Sequence, residues 1–520
     1  MNTIKILFLC VNIIFFIIVL NITFWAIKRK IKERKVFNET QYSIDILLAK
    51  NYLSQGKGAD AETLLRKSVR QKHRKKSVVL IYLAEALVLQ GKIHEAMSIH
   101  RLVLKRSNYS HEIAALICHP LAVHGYISYA TKIYSNVIKE NQLLKKNRNR
   151  REIQVLPSYW VDRIGHLVFL DSLLKMEKLE WLQKRTKILL APKTKISNSY
   201  MLSLYRKYFE GIIHDPSEAD LLQKSVNLSE DTFFGSFQDK SGKESWWIRS
   251  AWKAQNEWER RQKPPLISIN DSDVFGCWQE LMALGLKKQD WFVCIQSRNS
   301  TYHEKQDDPS QYFRDSDINL LKDGILEIIN RNGWVIRLGD KTEEKLKIKH
   351  PRIIDYPFTP AKSEKMDIFL CANCRFFVGT NSGLSSVPAA FGVPAIGLNI
   401  APLGTDLFMK KGCFLPKLWW SPEKKRYLNF HDLMKEPIGQ THNGNLFHGL
   451  DSTSNTSEEI KEVVIEMFER LENTFQYSDY EKKLQDKFQA IRQENGVMCN
   501  LPIGRGFLKR YENLLENEYN

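Results

Sequence analysis

Apolar residues dominate the start of the chain. No charged side chain occurs at the 22 positions between Lys5 and Lys28, and a helix that crosses a bilayer needs about 20 apolar residues. Trp25 lies near the end of this run, and the basic sequence KRKIKERK follows it. Because positive flanks stay on the inner side, we expect an uncleaved single-pass anchor in the inner (cytoplasmic) membrane, with the catalytic part in the cytoplasm. Residues 1–40 are assigned to this anchor and its basic juxtamembrane segment.

A helical repeat follows the anchor over residues 41–145. Small residues recur 35 positions apart, with a weaker third copy 34 positions on: Ala49 and Ala84, Gly56 and Gly91, Ala61 and Ala96, then Gly125 and Ala130. Small residues let paired helices approach closely, and a glycine at a helix end accepts the left-handed conformation. This spacing resembles that of tetratricopeptide repeats, which would offer a surface for protein partners. The alternative is a generic helical spacer.

Strand-like and helix-like segments then alternate, which predicts an α/β fold of doubly wound parallel sheets. One Rossmann-like domain is assigned to residues 150–265, which include the segment VLPSYWVDRIGHL and the strand-like RTKILLAP. A proline pair marks a linker to a second Rossmann-like domain at residues 266–445. Residues 446–520 are predicted to form packed helices, because Thr456 and Glu459 fit a capping box ahead of an apolar helical face.

The stretch FFVGTNSGLSSVPAAFGVPAIGLN, residues 376–399, reads as a strand, a turn of small residues, a short helix and a second strand. A helix that starts near Ser382 would present free N–H groups and a partial positive charge. Gly379 and Gly383 would let another group approach the backbone, and Thr380 offers a hydroxyl beside that of Ser382. These features suit an anionic cluster of oxygens such as a diphosphate. The alternative is tight packing and turn chemistry where a strand meets a helix.

Charged and polar side chains follow the other strands of the second domain. Ligands of open α/β sheets collect at the carboxyl ends of the strands, and the fork of donors on an arginine suits phosphate. The alternative for each arginine is a surface ion pair. The candidate ligand-binding residues at these strand ends are Arg298, Tyr302, Arg314, Arg337 and Asp340.

Residues 280–420 contain a series of motifs in the same order as a family of bacterial glycosyltransferases that often carry helical repeats, and they closely resemble that family. The matching segments are WFVCIQSRNSTY, YFRDSDINLLKDGI, GWVIRLGD, IIDYP, DIFLCANCRFFVGTNSGLSSVPAAFGVPAIGLNIAPL and FLPKLWW, and RIGHL at Arg163–Leu167 looks like the start of the family's first domain. The stretch after Phe376 also resembles the donor-side segment of heptosyltransferases and, less closely, of fucosyltransferases. The resemblance implies a GT-B fold, with the donor bound in the second domain.

The resemblance and the charges together assign the donor site. By resemblance, Thr380, Ser382 and Gly383 would cradle the diphosphate of a nucleotide-sugar. Arg298 and Arg314 are the candidates that would stabilise its charge, and Asp355 or Asn399 would contact the nucleoside or the sugar.

Glycosyl transfer also needs a group that accepts the proton of the acceptor hydroxyl. We choose His166, which follows the presumed first strand of the first domain and would face the cleft between domains. Its reference pKa suits proton transfer near neutrality. The alternative is a histidine that only caps or packs at that turn. GT-B enzymes generally use no metal, so we expect no cofactor besides the donor. The DSD triplets at Asp271 and Asp315 are too short to indicate a metal site.

The charge composition of the chain bears mainly on where the protein lies relative to the membrane. The formal net charge is +18, and basic clusters occur at Arg70–Lys76 and Leu144–Arg151. These clusters are either solvated helix ends or contacts with anionic lipid headgroups near the anchor. No nucleic-acid-binding motif accompanies them. The eight cysteines form no paired framework, and the pair at Cys371 and Cys374 lacks the second pair of a structural zinc site.

Taken together, the sequence predicts a membrane-anchored glycosyltransferase. It would transfer a sugar from a nucleotide-sugar to a glycan or a glycolipid, as in the synthesis of a bacterial cell-surface polysaccharide. The rival hypothesis is a non-catalytic scaffold, whose repeats bind proteins and whose Rossmann-like pair senses a nucleotide-sugar. Turnover of a nucleotide-sugar distinguishes the two hypotheses.

Overall fold

The computed structural model describes most of the chain: residues 45–70, 76–144, 153–182, 185–223, 236–238, 244–299, 309–341, 345–405, 407–441 and 443–516. The predicted anchor and Tyr302 lie outside these segments. Within them, no helix combines the length and the apolar character needed to cross a membrane. The chain divides into two compact units, residues 1–108 and residues 109–520.

The described part of the first unit is helical. After a helix that ends at residue 54 it contains α1 (Gly58–Arg70), α2 (Lys76–Leu89) and α3 (Ile93–Arg106). Gly91 joins α2 to α3 with a φ of 71°, and Ala61 and Ala84 are fully buried. A methyl group on Gly58 would lie 2.9 Å from the carbonyl oxygen of Ala86. The small residues of the repeat are therefore explained by helices that pack at short distance.

The second unit begins with a helical hairpin of α4 (His111–Val123) and α5 (Ile127–Leu144). Its turn packs on residues 436–441 and 443, which we call the latch segment. Gly125 has a φ of 85°, and a methyl group there would lie 2.1 Å from the carbonyl oxygen of Pro437. The backbone N–H and the hydroxyl of Ser128 each donate to Glu436 Oε1 at 3.0 Å. This carboxylate therefore caps the N-terminus of α5 and complements its dipole.

Two further hydrogen bonds join the hairpin to the latch segment. Thr441 Oγ1 donates to the carbonyl of Val123 (3.2 Å), and Asn443 Nδ2 donates to His124 Nδ1 (2.9 Å). Burial lowers the pKa of His124 to about 4, which fits a neutral ring that accepts this bond. The third copy of the repeat is thus held by side chains more than 300 residues away in the sequence.

The first parallel sheet has the strand order β1–β2–β3. Its elements are β1 (Ile153–Leu156), α6 (Ile164–Lys178), β2 (Thr186–Leu190), α7 (Ser199–Tyr205) and β3 (Gly211–Ile213). Leu167 and Leu170 of α6 are fully buried. Asp171 and Lys175 of the same helix form a buried ion pair. The elements that follow are α8 (Pro216–Gln223), β4 (Ser236–Gln238), β5 (Glu244–Trp246) and α9 (Trp247–Arg260).

The second parallel sheet has six strands in the order β11–β10–β9–β6–β7–β8. This is the strand order of a Rossmann sheet, and every residue of β6, β7 and β9 is buried. The predicted α/β class with parallel sheets is therefore confirmed. The elements are α10 (Asp271–Ala283), β6 (Phe292–Gln296), α11 (Lys322–Asn330), β7 (Trp334–Arg337), β8 (Ile353–Asp355), α12 (Glu364–Asn373), β9 (Phe377–Thr380), α13 (Val387–Phe391), β10 (Pro394–Ile400) and β11 (Lys410–Pro416).

A small antiparallel sheet and four helices complete the part of the chain that the structure describes. The elements are β12 (Leu418–Ser421), β13 (Arg426–Tyr427), α14 (Phe430–Met434), β14 (Asp451–Thr453), α15 (Ser457–Leu471), α16 (Asp479–Glu494) and α17 (Arg505–Arg510). The predicted capping box is confirmed, because Thr456 Oγ1 accepts from the N–H of Glu459 (3.2 Å) and the Glu459 carboxylate accepts from the N–H of Thr456 (2.8 Å). The tail is therefore helical and packed, as expected.

The cap on α5 yields a stability prediction. Replacing Glu436 by Ala removes the acceptor for Ser128 and leaves a helix N-terminus uncapped, so the free energy of unfolding should fall by about 1 kcal/mol. Urea denaturation measures this change. Glu423→Ala is the matched control, because this exposed carboxylate forms no hydrogen bond or ion pair with a described residue. Equal midpoints for the two variants would contradict the capping role.

Candidate functional site

The crevice at the carboxyl ends of β6 and β9 is the point where the chain reverses its direction across the second sheet. From β6 the chain crosses to β7 and β8 on one side and later returns to β9, β10 and β11 on the other. Open α/β sheets bind ligands at such a point. Arg298 follows β6, and Thr380 ends β9. Two of the predicted donor residues therefore meet at this crevice.

Arg298 joins the ends of two strands and also holds a later part of the segment that follows β6. Its backbone N–H donates to Thr380 Oγ1 (2.8 Å), which joins the ends of β6 and β9. Its Nη1 donates to the carbonyl of Gln311 (2.8 Å) and to Asp315 Oδ1 (2.9 Å). The ion-pair alternative considered for this arginine is thus present, although the pair is largely buried and not on the surface. Thr380 is fully buried, and its hydroxyl serves this strand-end connection.

Lys417 adds a cation beneath the same loop. Its Nζ donates to the carbonyls of Phe313 (3.0 Å) and Asp315 (2.7 Å), and the residue is only 3% exposed. Burial lowers the pKa of Lys417 to about 8, against the attraction of the Asp315 carboxylate. Burial likewise raises the pKa of Asp315, against the attraction of Arg298. Burial removes water from the charges of Lys417 and Asp315, which opposes folding. The backbone carbonyls that accept hydrogen bonds from Lys417 partly offset this cost.

Positive charge exceeds negative charge in this group. Arg298, Arg314 and Lys417 face the carboxylate of Asp315, and Arg314 Nη2 donates to Gln311 Oε1 (2.5 Å). We call these four charged residues the cationic cluster. A fixed excess of positive charge at a crevice attracts an anionic ligand.

The loop after β9 is held by serine hydroxyls. Ser382 Oγ donates to Gln296 Oε1 (3.0 Å), and Ser385 Oγ donates to the carbonyl of Ser382 (2.6 Å). Such local bonds compete with helical ones. A 3-10 turn at Leu384–Ser386 follows, and α13 begins only at Val387 and has five residues. The expectation of a helix that starts near Ser382 is therefore corrected, and any dipole contribution comes from a very short helix.

Gly383 contacts the first α/β part of the chain. A methyl group on Gly383 would lie 2.9 Å from the backbone nitrogen of Gly165 and 3.2 Å from Ile164 Cγ2, at the start of α6. A methyl group on Gly165 would in turn lie 3.0 Å from Gly383 Cα. The start of α6 and the loop after β9 thus meet backbone to backbone. Packing explains the glycine at position 383, and its role beside a diphosphate stays a prediction.

Asn399 lies at the end of β10 in a left-handed conformation, with a φ of 50°. Its N–H donates to Asn455 Oδ1 (2.6 Å), and the N–H of Asn455 donates to Asn399 Oδ1 (2.7 Å). Its Nδ2 donates to Ser316 Oγ (2.8 Å). The side chain is fully buried, and these bonds fix the loop that carries Asp315.

The remaining donor candidates lie on the neighbouring strands. Arg337 ends β7, Asp355 ends β8, and Arg337 Nη1 donates to Asp355 Oδ1 (2.8 Å). Asp355 Oδ2 also accepts from the N–H of Leu346 (3.0 Å). Asp340 is half-buried in the loop after β7. These three residues lie one and two strands from β6, on the side away from β9. Tyr302 lies outside the described residues.

His166 is the third residue of α6, directly after Gly165. Its Nδ1 lies 2.7 Å from the carbonyl of Tyr159 and 2.7 Å from Asp162 Oδ1. A carbonyl can only accept a hydrogen bond, so Nδ1 carries the proton and Nε2 is the basic nitrogen of the neutral ring. The residue before it, Gly165, contacts Gly383 in the loop after β9.

Sequence reasoning missed Lys417, Gln296 and Asn455. Lys417 lies in the apolar segment FLPKLWW, and a single lysine among apolar residues is a signal for a buried cation. Gln296 and Asn455 carried no comparable signal, because their partners lie 86 and 56 residues away in the chain.

No family model and no curated protein matches the chain. Among solved structures it is similar to ADP-heptose LPS heptosyltransferase II of E. coli, with 12% identity, a TM-score of 0.34, and 56% of this chain and 96% of that chain covered. A glycosyl transferase family 9 protein from Veillonella parvula DSM 2008 has 11% identity, a TM-score of 0.31 and coverage of 47% and 79%.

An O-GlcNAc transferase from Thermobaculum terrenum has 10% identity and a TM-score of 0.22, with 92% of this chain and 98% of that chain covered. These structural neighbours are glycosyltransferases. Likenesses this distant define no family for the chain, and its α/β fold is established by its own strand order.

The glycine contact yields a second prediction. Gly383→Ala places a carbon against the backbone of Gly165, which must then move, so the free energy of unfolding should fall by about 1–3 kcal/mol. Gly276→Ala is the control, because a methyl group there meets no atom within 4 Å, and alanine stabilises a helix interior by roughly 0.5–1 kcal/mol over glycine. Calorimetry measures both changes. A Gly383→Ala protein as stable as the parent would show that the loops do not meet.

A third prediction concerns the pH dependence from Lys417. An unfolded lysine keeps its proton up to its ordinary pKa of 10.5, whereas the folded group loses it near pH 8. The unfolded state therefore binds more protons between these values, and the contribution of Lys417 to stability rises with pH across this window. Between about pH 7 and about pH 10 the parent should gain on the order of 2 kcal/mol relative to Lys417→Met. Urea midpoints measure the gain, and parallel pH profiles would contradict it.

Proposed function

We propose that the second unit is a glycosyltransferase of GT-B type that uses a nucleotide-sugar donor. The observation that carries the proposal is the cationic cluster at the switch point of a Rossmann sheet, beside a loop that contacts Gly165, the residue before His166 in α6. One α/β part supplies positive charge for a leaving diphosphate, and the other supplies a base. The resemblance of residues 280–420 to bacterial glycosyltransferases agrees with this division.

The reaction assigns a task to each side of the crevice. The bond between the anomeric carbon and the phosphate oxygen breaks, and its electron pair stays on the nucleoside diphosphate. Arg298 and Arg314 stabilise that charge together with Lys417, and Ser382 and Gly383 border the diphosphate. An acceptor hydroxyl forms the new bond to the anomeric carbon. Prepositioned cations lower the barrier because they need no reorganisation when the charge develops.

His166 is proposed to accept the proton of that hydroxyl on Nε2. Asp162 and the Tyr159 carbonyl hold Nδ1–H, which fixes the tautomer and stabilises the imidazolium that forms. Tyr302, Arg337, Asp340, Asp355 and Asn399 remain proposed contacts or supports of the donor. No metal or other cofactor is part of the proposal.

The cellular setting is part of the same proposal. The apolar run between Lys5 and Lys28 is proposed to anchor the protein in the inner membrane, with the basic clusters against anionic headgroups and the catalytic part in the cytoplasm. The acceptor is a glycan or a glycolipid, and the helical repeats are of tetratricopeptide type and offer a surface for protein partners. The rival, a nucleotide-sugar-sensing scaffold, predicts binding without turnover.

The test is the release of nucleoside diphosphate from a panel of nucleotide-sugars by the full chain. Loss of a general base typically costs about 10²–10⁴-fold in rate, so His166→Ala should lower kcat by that factor and leave donor affinity nearly unchanged. Arg298→Lys keeps the charge but loses the planar fork, and should weaken donor binding. Asp162→Asn keeps His166 and removes the carboxylate that holds its Nδ1–H. Its kcat should therefore lie between those of the parent and of His166→Ala.

Two outcomes would contradict parts of the proposal. Donor binding without any turnover across the panel supports the scaffold. Near-normal turnover by a folded His166→Ala protein leaves this histidine as a turn residue, and the base must then be sought elsewhere.

A further inference from the structure

The latch segment leads directly into a 3-10 turn that packs against the cationic cluster. This turn is Gly444–Phe447, and it faces the 3-10 segment Pro309–Arg314, which we call the cluster loop. Asn443 belongs to both surroundings, because its Nδ2 donates to His124 Nδ1 (2.9 Å) and its Oδ1 accepts from the N–H of Asn445 (3.0 Å). One side chain therefore caps the turn and bonds to the α4–α5 hairpin at the same time.

Thr441 makes a second connection of this kind. Its Oγ1 donates to the carbonyl of Val123 (3.2 Å) and accepts from the N–H of Asn443 (2.9 Å). A methyl group on Gly125, in the turn of the hairpin, would lie 2.8 Å from the backbone nitrogen of Thr441. Thr441 is fully buried and Asn443 nearly so, and buried polar groups are costly to leave unpaired. The hairpin thus fixes the backbone at the entry to the turn Gly444–Phe447.

Buried aromatic rings connect this turn to the cluster loop. The ring of Phe447 is stacked on that of Phe313, with centroids 4.8 Å apart and an angle of 16° between the planes. Its other neighbour is Trp419 of β12, with centroids 4.3 Å apart. None of the three side chains is more than 2% exposed. Because protein interiors are close-packed, a shift of Phe447 must displace Phe313.

The backbone of Phe313 and its neighbours is held by the cations themselves. Lys417 Nζ donates to the carbonyl of Phe313 (3.0 Å), and Arg298 Nη1 donates to the carbonyl of Gln311 (2.8 Å). The guanidinium carbon of Arg314 lies 5.9 Å from the centroid of the Phe313 ring. The arrangement of all three cations therefore depends on where the cluster loop lies. Contacts at hydrogen-bond or stacking distance lead from that loop, through the turn and the latch segment, to the hairpin.

We propose that the α4–α5 hairpin is a positioning part of the donor site. Through Asn443 and Phe447 it holds the cluster loop in the arrangement that binds the donor diphosphate. This inference rests on the proposed glycosyl transfer and adds that the third repeat sets donor affinity and is more than a spacer. His124 and Asn443 touch no reactant, so they are positioning residues. By linkage, an anion bound at the cluster stabilises the contact between the hairpin and the latch segment.

The experiment measures the binding of inorganic pyrophosphate to the full chain by titration calorimetry, at a temperature at which each variant is folded. Pyrophosphate carries the charge of the donor diphosphate without the nucleoside or the sugar. His124→Phe keeps a ring but removes the acceptor for Asn443, so the Kd should rise roughly five- to tenfold. His124→Asn places an oxygen as many bonds from the backbone as Nδ1, and should restore most of the affinity.

The matched control is Ile117→Val. It removes one methylene group from the buried side of α4, about two turns before His124, and leaves the hydrogen bonds to Thr441 and Asn443 in place. This variant should unfold more easily than the parent but bind pyrophosphate with the same Kd. An equal loss of affinity in Ile117→Val and His124→Phe would overturn the proposal, because general loosening of the hairpin would then explain the effect.

The route through the aromatic rings is tested with Phe447→Leu, alone and combined with His124→Phe. If the hairpin acts through Phe447, the double variant should bind pyrophosphate no more weakly than Phe447→Leu alone. Losses that add in the double variant would show that the two side chains act independently, which contradicts the proposed route.

A measurement on the unmodified chain decides the question even if His124→Phe does not fold. The N–H of Ser128 is bonded to Glu436, and that of Asn443 is bonded to Thr441. Saturating pyrophosphate should slow hydrogen exchange at both amides by a factor similar to the change in Kd, since the coupling is reciprocal. Exchange rates that do not respond to pyrophosphate would refute the coupling.

Arg314→Gln separates this inference from the proposed function. It removes one cation of the cluster and should weaken pyrophosphate binding whatever the hairpin does. If the parent does not bind pyrophosphate, or if Arg314→Gln binds it as the parent does, the cluster is not the donor site and the proposed function fails together with this inference. If only Arg314→Gln loses affinity and His124→Phe does not, the inference about the hairpin alone is refuted.

Discussion

The backbone contact between Gly165 and Gly383 is the constraint on which the rest of the site depends. Each glycine occupies the space in which the other would carry a side chain. Gly165 lies at the start of α6, which follows β1, and Gly383 lies in the loop after β9, so the contact joins elements that follow one strand of each parallel sheet. In the proposed reaction, His166 on one side and the cationic cluster on the other act on the same pair of reactants.

The cationic cluster shows how such a site is kept ready. Lys417 is buried against backbone carbonyls, and Arg298 is bound by a carbonyl and a carboxylate. Burial of these charges opposes folding. The same burial removes the water that would otherwise screen them from the diphosphate of the proposed donor. The buried cations thus lower the stability of the fold, and they hold positive charge at fixed positions in the crevice.

Local features of the fold were predictable from the sequence. The strands of the second sheet follow from apolar runs with polar ends, and the capping box at Thr456 and Glu459 needs only residues three positions apart. The grouping of Arg298 with Thr380 follows from the rule that parallel strands end at one edge. Features that depend on distant partners were not predictable. Lys417, for example, donates hydrogen bonds to carbonyls about 100 residues earlier in the chain.

The sequence alone also could not decide the role of a residue that has two valid physical explanations. Gly383 suits both a phosphate and a close backbone contact, and the structure shows the contact. The start of α13 was placed too early, because the hydroxyls of Ser382 and Ser385 bond to the loop and delay the helix. The anchor and Tyr302 stay predictions, since both lie outside the described residues.

The latch segment has a consequence for biosynthesis. The turn between α4 and α5 is completed by Glu436, Thr441 and Asn443, which the ribosome adds some 300 residues later. At roughly 5–20 residues per second, the hairpin waits on the order of 15–60 s for its covering segment. During that interval its buried face is open to chaperones and to other nascent chains. The hairpin can therefore reach its final packing only after most of the chain has been synthesised.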